Sequence, residues 1–143
     1  MSETHEDTNL AAALVGLSHH VLHLFADAGR AHDLTQQQAE LVCAVIVRGR
    51  VGMSELGRAL HMEKSALSNL VDRAEKRDLV TRTRDPHDRR ATWVELTPEG
   101  ARLAEATHDD VTARIKGLVE GLSGQDRAHL TGVLTQLRDA AQG

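Results

Sequence analysis

Aromatic side chains are almost missing from this sequence. It holds one Phe, one Trp and no Tyr in 143 residues. A core without large rings must be filled by Leu, Val, Ala and Ile, which suits helices packed side by side. Cysteine is as scarce. Cys43 stands alone, which excludes an internal disulfide framework and fits a reducing compartment. Its neighbours Leu41, Val42, Ala44 and Val45 are apolar. With no Lys or Arg beside it to lower its pKa, it reads as a structural thiol rather than a redox sensor. No apolar run is expected to reach the roughly 20 residues of a membrane span, and the opening "MSETHEDTNL" is acidic where a signal peptide is basic. A cytoplasmic protein without a membrane partner is therefore expected. A glycine-rich phosphate loop, a His-Glu-x-x-His pair and a nucleophile–base pattern are also missing, which argues against an enzyme.

The composition that remains is that of an ordinary globular chain, 41% hydrophobic and 27% charged. Its length fits one domain, residues 1–143. The net charge of −4 conceals a division. From Arg48 to Arg90, eleven Lys and Arg stand against seven Asp and Glu, a balance of +4; elsewhere six stand against fourteen, a balance of −8. A basic middle inside an acidic chain is a footprint for a polyanion.

Hydrophobic spacing supplies the elements. Leu10, Leu14, Leu17, Val21 and Leu24 form an apolar seam on a helix over about residues 8–30. Thr35 opens "TQQQ", a capping box for a second helix through Leu41, Val42, Val45 and Ile46, which "RGRVG" ends. Ser54 is the expected N-cap of a short helix carrying Leu56, Ala59 and Leu60. In "KSALSNLVDRAEKR", Leu67, Leu70, Val71 and Ala74 share one face. Leu79–Thr81 and Ala91–Leu96 read as two strands around a polar turn. Thr97 and Pro98 start another helix, reaching about Gly121, and Ser123 caps the last, through Leu130, Val133, Leu134, Leu137 and Ala141.

The centre is thus a helix-turn-helix followed by a hairpin, a winged helix. The fold expected is mainly α with a small β-hairpin wing. On the second helix of the pair, Ser65, Ser68 and Asn69 are short polar groups suited to base edges in a major groove, and Lys64 and Arg73 flank them as phosphate ligands. The turn "DPHDRR" gathers Arg82, Arg84, Arg89 and Arg90, and an arginine there can enter the adjacent minor groove. Asp88, two residues before Arg90, is placed to orient its guanidinium. The DNA-contact candidates are therefore Ser54, Lys64, Ser65, Ser68, Asn69, Arg73, Arg84, Asp88, Arg89 and Arg90.

The stretch "SELGRALHMEKSALSNLVDRAEKRDLVTRTRDPHDRRATWVELTPEG" closely resembles the MarR family of bacterial transcriptional regulators. The specific part is Asp88-Arg89-Arg90 followed by a strand and Leu96-Thr97-Pro98-Glu99-Gly100. The helix order outside the centre agrees. Two residues depart from the family pattern: Ala74 stands where Leu is usual and Asp78 where Gly is usual. The resemblance implies a homodimer in which residues 8–34 and 98–143 form dimerisation helices. Residues 35–97 would form the winged lobe on a pseudopalindromic site. The dimer candidates are Leu10, Leu14, Leu17, Val21 and Leu24 with Leu130, Leu134 and Leu137. It also implies a repressor of double-stranded operator DNA released by a small-molecule effector, with no bound cofactor. His19, His23 and His108 are the candidates for the alternative, a zinc-responsive regulator of the same fold. A non-specific architectural DNA binder is the other alternative.

Overall fold

The computed structural model describes residues 2–88 and 90–142. Its elements in chain order are α1 (Ser2–Ala31), α2 (Gln36–Arg48), β1 (Val51–Gly52), α3 (Met53–Leu60), α4 (Lys64–Lys76), β2 (Val80–Arg84), β3 (Thr92–Leu96), α5 (Pro98–Leu118) and α6 (Gly124–Gln142).

The central lobe holds most of the core. Leu41, Val42 and Val45 of α2 meet Leu56 of α3, Leu67, Leu70, Val71 and Ala74 of α4, and Val51, Val80 and Val94 of the sheet. The apolar stripe of α4 is buried as its spacing predicts. The α2 capping box is complete: Gln38 N–H donates to Thr35 Oγ1 and Thr35 N–H to Gln38 Oε1, each at 3.1 Å. Thr97 and Ser123 also cap as expected, accepting from the backbone N–H of Gly100 and Asp126.

Several boundaries differ from expectation. The first wing strand, expected over Leu79–Thr81, runs from Val80 to Arg84. The hairpin is part of a three-stranded sheet in the order β1-β3-β2, with Val51 opposite Val94 and Gly52 opposite Trp93. The chain passes from β1 straight into α3, so Gly52 is the N-cap and Ser54 lies inside the helix. The first helix begins at Ser2, well before its apolar seam.

The sheet is joined to α5 by a tight clasp. Thr97 Oγ1 donates to the Asp78 carbonyl at 2.5 Å while accepting from Gly100 N–H at 2.9 Å, and Thr97 N–H donates to the Leu79 carbonyl at 3.0 Å. Gly100 is packed so closely that an added Cβ would fall 1.8 Å from the Leu79 carbonyl oxygen. Asp78 ends α4 at φ +59°. There its N–H donates to the Glu75 carbonyl and Leu79 N–H to the Ala74 carbonyl, both at 2.9 Å, which satisfies the last turn.

The first turns of α1 and the whole of α6 are bare. Every residue from Glu3 to His20 is exposed, and α6 buries none of its described side chains. Leu10, at 67% exposure, Leu14, Leu17, Leu134 and Leu137 are open, and Val21 and Leu130 are half-buried. Leu24 departs from the expected seam: it is 8% exposed, taken up by this chain's own packing. The expectation about apolar runs is also corrected. Glu3–Ala31 is long and apolar enough to cross a membrane by length and composition, and 6% of its most apolar window is buried. Residues 8–26 contain no Asp, Glu, Lys or Arg, so the helix reaches that composition even though Ser, His and Gly stand between its leucines.

Candidate nucleic-acid interface

A groove of about 1410 Å³ runs between the start of α4, the α3–α4 turn and the wing. Lys64 and Ser68 of α4, Ser54 and Arg58 of α3, and Arg84 and Arg90 of the wing all line it. Lys64, Ser65, Ser68 and Asn69 lie on the first two turns of α4; Lys64, Ser65 and Asn69 are exposed and Ser68 is half-buried. The buried stripe of that helix faces the core, so its short polar residues are left outward. Arg73 lies one turn further on, and its Nε–H donates to the Asn69 carbonyl at 3.4 Å. The structure thus brings together the reader helix and the wing candidates. Arg89 lies outside the described residues.

The arginines of the wing divide into two kinds. Arg82 and Arg84 lie on one face of β2, two residues apart. Arg82 is anchored: its Nε–H donates to Glu75 Oε1 at 2.8 Å, its backbone N–H donates to Glu75 Oε2 at 3.3 Å, and an Nη2–H donates to Asp72 Oδ1. Among the described residues, no carboxylate lies within ion-pair distance of Arg84 or Arg90. These two cations are available to an anion outside the chain.

The turn is built by its acids. Asp85 Oδ1 accepts from His87 N–H at 2.8 Å and from Asp88 N–H at 3.3 Å. Asp85 Oδ2 accepts from the Trp93 indole at 3.2 Å. The His87 N–H, and after it the indole, hold the Asp85 carboxyl below its ordinary range. Arg50 lies over the Trp93 ring, 4.3 Å from its centre, where cation and π-face attract. Asp88 has a different role from the one expected. Its Oδ1 accepts from the backbone N–H of Arg90 at 3.0 Å, and no ion pair joins it to the Arg90 guanidinium among the described residues. Two residues apart in a tight turn, the carboxylate reaches the nearer backbone donor, so Asp88 fixes the chain direction at Arg90.

Arg58 in the groove, and Asp85 and Arg50 against Trp93, are placements that sequence reasoning misses. Arg58 follows Glu55 by one helical turn, and its place in the groove depends on how α3 meets the wing. Asp85 is visible as a turn former, but its bond to Trp93 requires the hairpin register.

The other candidates are dispersed. His23 Nε2 lies 3.5 Å from Asp27 Oδ2 one turn along α1, and His32 Nε2 lies 3.3 Å from Asp110 Oδ2 across to α5. Among the described residues, no three His, Cys, Asp or Glu side chains come together as a metal site. His19 and His23 share α1, while His108 lies on α5. Cys43 is buried; desolvation, with a smaller push from Glu40, raises its pKa to about 11, so its thiolate is scarce at neutral pH.

Comparison with known proteins gives consistent results. Residues 32–91 match the model of the MarR family. The multiple antibiotic resistance protein MarR of Salmonella typhimurium is 32% identical over 76 residues, covering 53% of each chain. The chain therefore matches about half the length of that curated relative. A mutant MarR of E. coli, crystallised in complex with operator DNA, superposes with a TM-score of 0.77 at 24% identity, over 92% of this chain and 95% of that one. NadR in complex with 4-hydroxyphenylacetate superposes at 0.80 with 22% identity, over 90% and 92%. At these identities the superpositions establish the fold. The chain therefore has the winged helix-turn-helix fold, and its residues 32–91 are similar to the MarR family.

Proposed function

We propose that the chain is a sequence-specific DNA-binding transcriptional regulator that acts as a homodimer. The observation that carries this reading is the groove itself. It sets Lys64 and Ser68 of the reader helix opposite Arg84 and Arg90 of the wing, and no carboxylate among the described residues neutralises those two arginines. One element suits base edges in the major groove, and the other suits phosphate and the narrow minor groove. The operator complex of E. coli MarR supports the same use of the fold.

The dimer is supported by exposed apolar surface at both ends of the chain, on α1 and α6. A second copy would cover both surfaces at once and place two reader helices on a two-fold site. NadR, of the same fold, was crystallised with 4-hydroxyphenylacetate, and a small organic ligand is the effector proposed to relieve repression by this chain. Binding isotherms on an inverted-repeat duplex and on its scrambled counterpart, at one salt concentration, test the reading. Equal affinity for both duplexes would leave only the non-specific architectural role.

A further inference from the structure

From the hydrogen bonds of Arg82 we infer that it is a positioning residue, which fixes the wing against the reader helix so that both engage DNA as one rigid unit. This rests on the DNA-binding reading above. Arg82 belongs by sequence to the basic cluster of the wing and lines the same groove as Arg84, yet its guanidinium is turned to the acids of α4. Its strand neighbour Val80 is buried, and its cross-strand partner is the buried Val94. Asp72 and Glu75 lie three residues apart on α4, on the face that the wing approaches. Glu75 accepts both the backbone N–H and the Nε–H of Arg82, while Asp72 accepts from the far end of the guanidinium. A single carboxylate therefore sets the position of a strand and of its side chain together. Desolvation works against the charge of Arg82, but the hydrogen bonds of Asp72 and Glu75 outweigh it and the pKa is raised. Arg84, two residues further along the same strand face, has no such hold and lies exposed in the groove. One arginine sets the angle of the wing, and the next meets the ligand.

A direct phosphate contact by Arg82 is the competing role, and the two predict opposite signs. If Glu75 merely occupied an arginine meant for phosphate, Glu75→Gln would release it and strengthen binding. If the pair holds the wing, Glu75→Gln weakens binding as Arg82→Gln does, and the double variant is no worse than either single. The duplex is one that the wild-type protein enriches from a random-sequence pool. Each single variant is expected to lose roughly tenfold in affinity with an unchanged log–log salt slope. Arg82→Lys keeps the charge but loses the planar fork, so it should behave like Arg82→Gln. Tighter binding by Glu75→Gln, wild-type binding by Arg82→Lys, or a slope lowered by about one unit would overturn the proposal. If the wild-type protein enriches no duplex, the DNA-binding reading fails. The clamp is then decided by Trp93 fluorescence anisotropy of DNA-free protein, which must fall in Arg82→Gln and in Glu75→Gln. Unchanged anisotropy would refute it.

Discussion

The Trp93 indole N–H donates to Asp85 Oδ2 at 3.2 Å, so the only tryptophan of the chain reports on the carboxylate that shapes the wing turn. Asp85→Ala removes that acceptor and the one for His87 N–H. The expected result is red-shifted Trp93 emission and weaker DNA binding with far-ultraviolet circular dichroism unchanged. The pH dependence follows from the lowered pKa of Asp85. Its contribution to wing order is complete above the ordinary carboxylate value of 3.8 and is lost as pH falls through the lower folded value. Emission should therefore hold steady down to about pH 5 and change only in the acid range below 3.8. A transition near pH 6 would assign the control to a histidine instead.

Gly100 presses on the Leu79 carbonyl, where a Cβ would stand 1.8 Å from the oxygen. Backbone must move to admit it, so Gly100→Ala should lose at least about 1–3 kcal/mol, read as a lower Tm and an earlier denaturation midpoint. Gly117, also on α5, has nothing within 4 Å of its added Cβ. Gly117→Ala should gain about 0.5–1 kcal/mol from helix propensity. Equal effects at the two sites would remove the steric explanation for the glycine of the wing signature.

Much of this fold is legible in the sequence because its signals are local. The Thr35 capping box, the Thr97–Pro98 start and the Leu67–Leu70–Val71–Ala74 stripe each lie within a few turns of chain. What is not legible depends on distant partners. Two residues of β1 carry no periodicity, and they form a strand only because β3 is there to pair with them. Arg82 has the same side chain as Arg84, and only the approach of Asp72 and Glu75 separates their roles. Leu24 fits the seam by spacing but is covered by this chain's own packing. Asp78, where the family pattern has Gly, takes the left-handed helix end at φ +59°. Asp78→Gly should raise stability by up to about 1–2 kcal/mol, measured by denaturant unfolding.

Leu17 is 41% exposed in the middle of the bare stretch of α1. If a second copy covers it, each buried leucine contributes roughly 1.5–3 kcal/mol to the assembly. Leu17→Asp should then shift sedimentation from dimer toward monomer and lower the Tm in a concentration-dependent way. Wild-type protein that sediments as a folded monomer at micromolar concentration would refute the dimer. Partition of wild type into neutral lipid vesicles would assign the seam to a membrane instead.

Arg90 and Asn69 should fail in different ways, because one meets phosphate and the other meets bases. Arg90 lies exposed on the turn, and no carboxylate among the described residues pairs with it. Arg90→Ala should weaken binding to most sequences and lower the log–log salt slope by about one unit for each phosphate that a lobe no longer neutralises. Asn69 lies on the second turn of α4, where an amide can pair with one base edge. Asn69→Ala should cost roughly 1–3 kcal/mol per half-site on the cognate duplex and relax preference at one position. Its salt slope should stay near wild type, since no charge has been removed. Asp88→Ala tests the role seen for that carboxylate. Asp88 accepts from the Arg90 backbone N–H at 3.0 Å, so its removal slackens the turn while the cation remains. A milder copy of the Arg90→Ala defect is expected, with the slope largely retained. Isotherms for the three variants, on cognate and scrambled duplex at several salt concentrations, separate these outcomes. If Arg90→Ala binds both duplexes as wild type does, the wing makes no DNA contact, and the basic turn is a solvated surface loop.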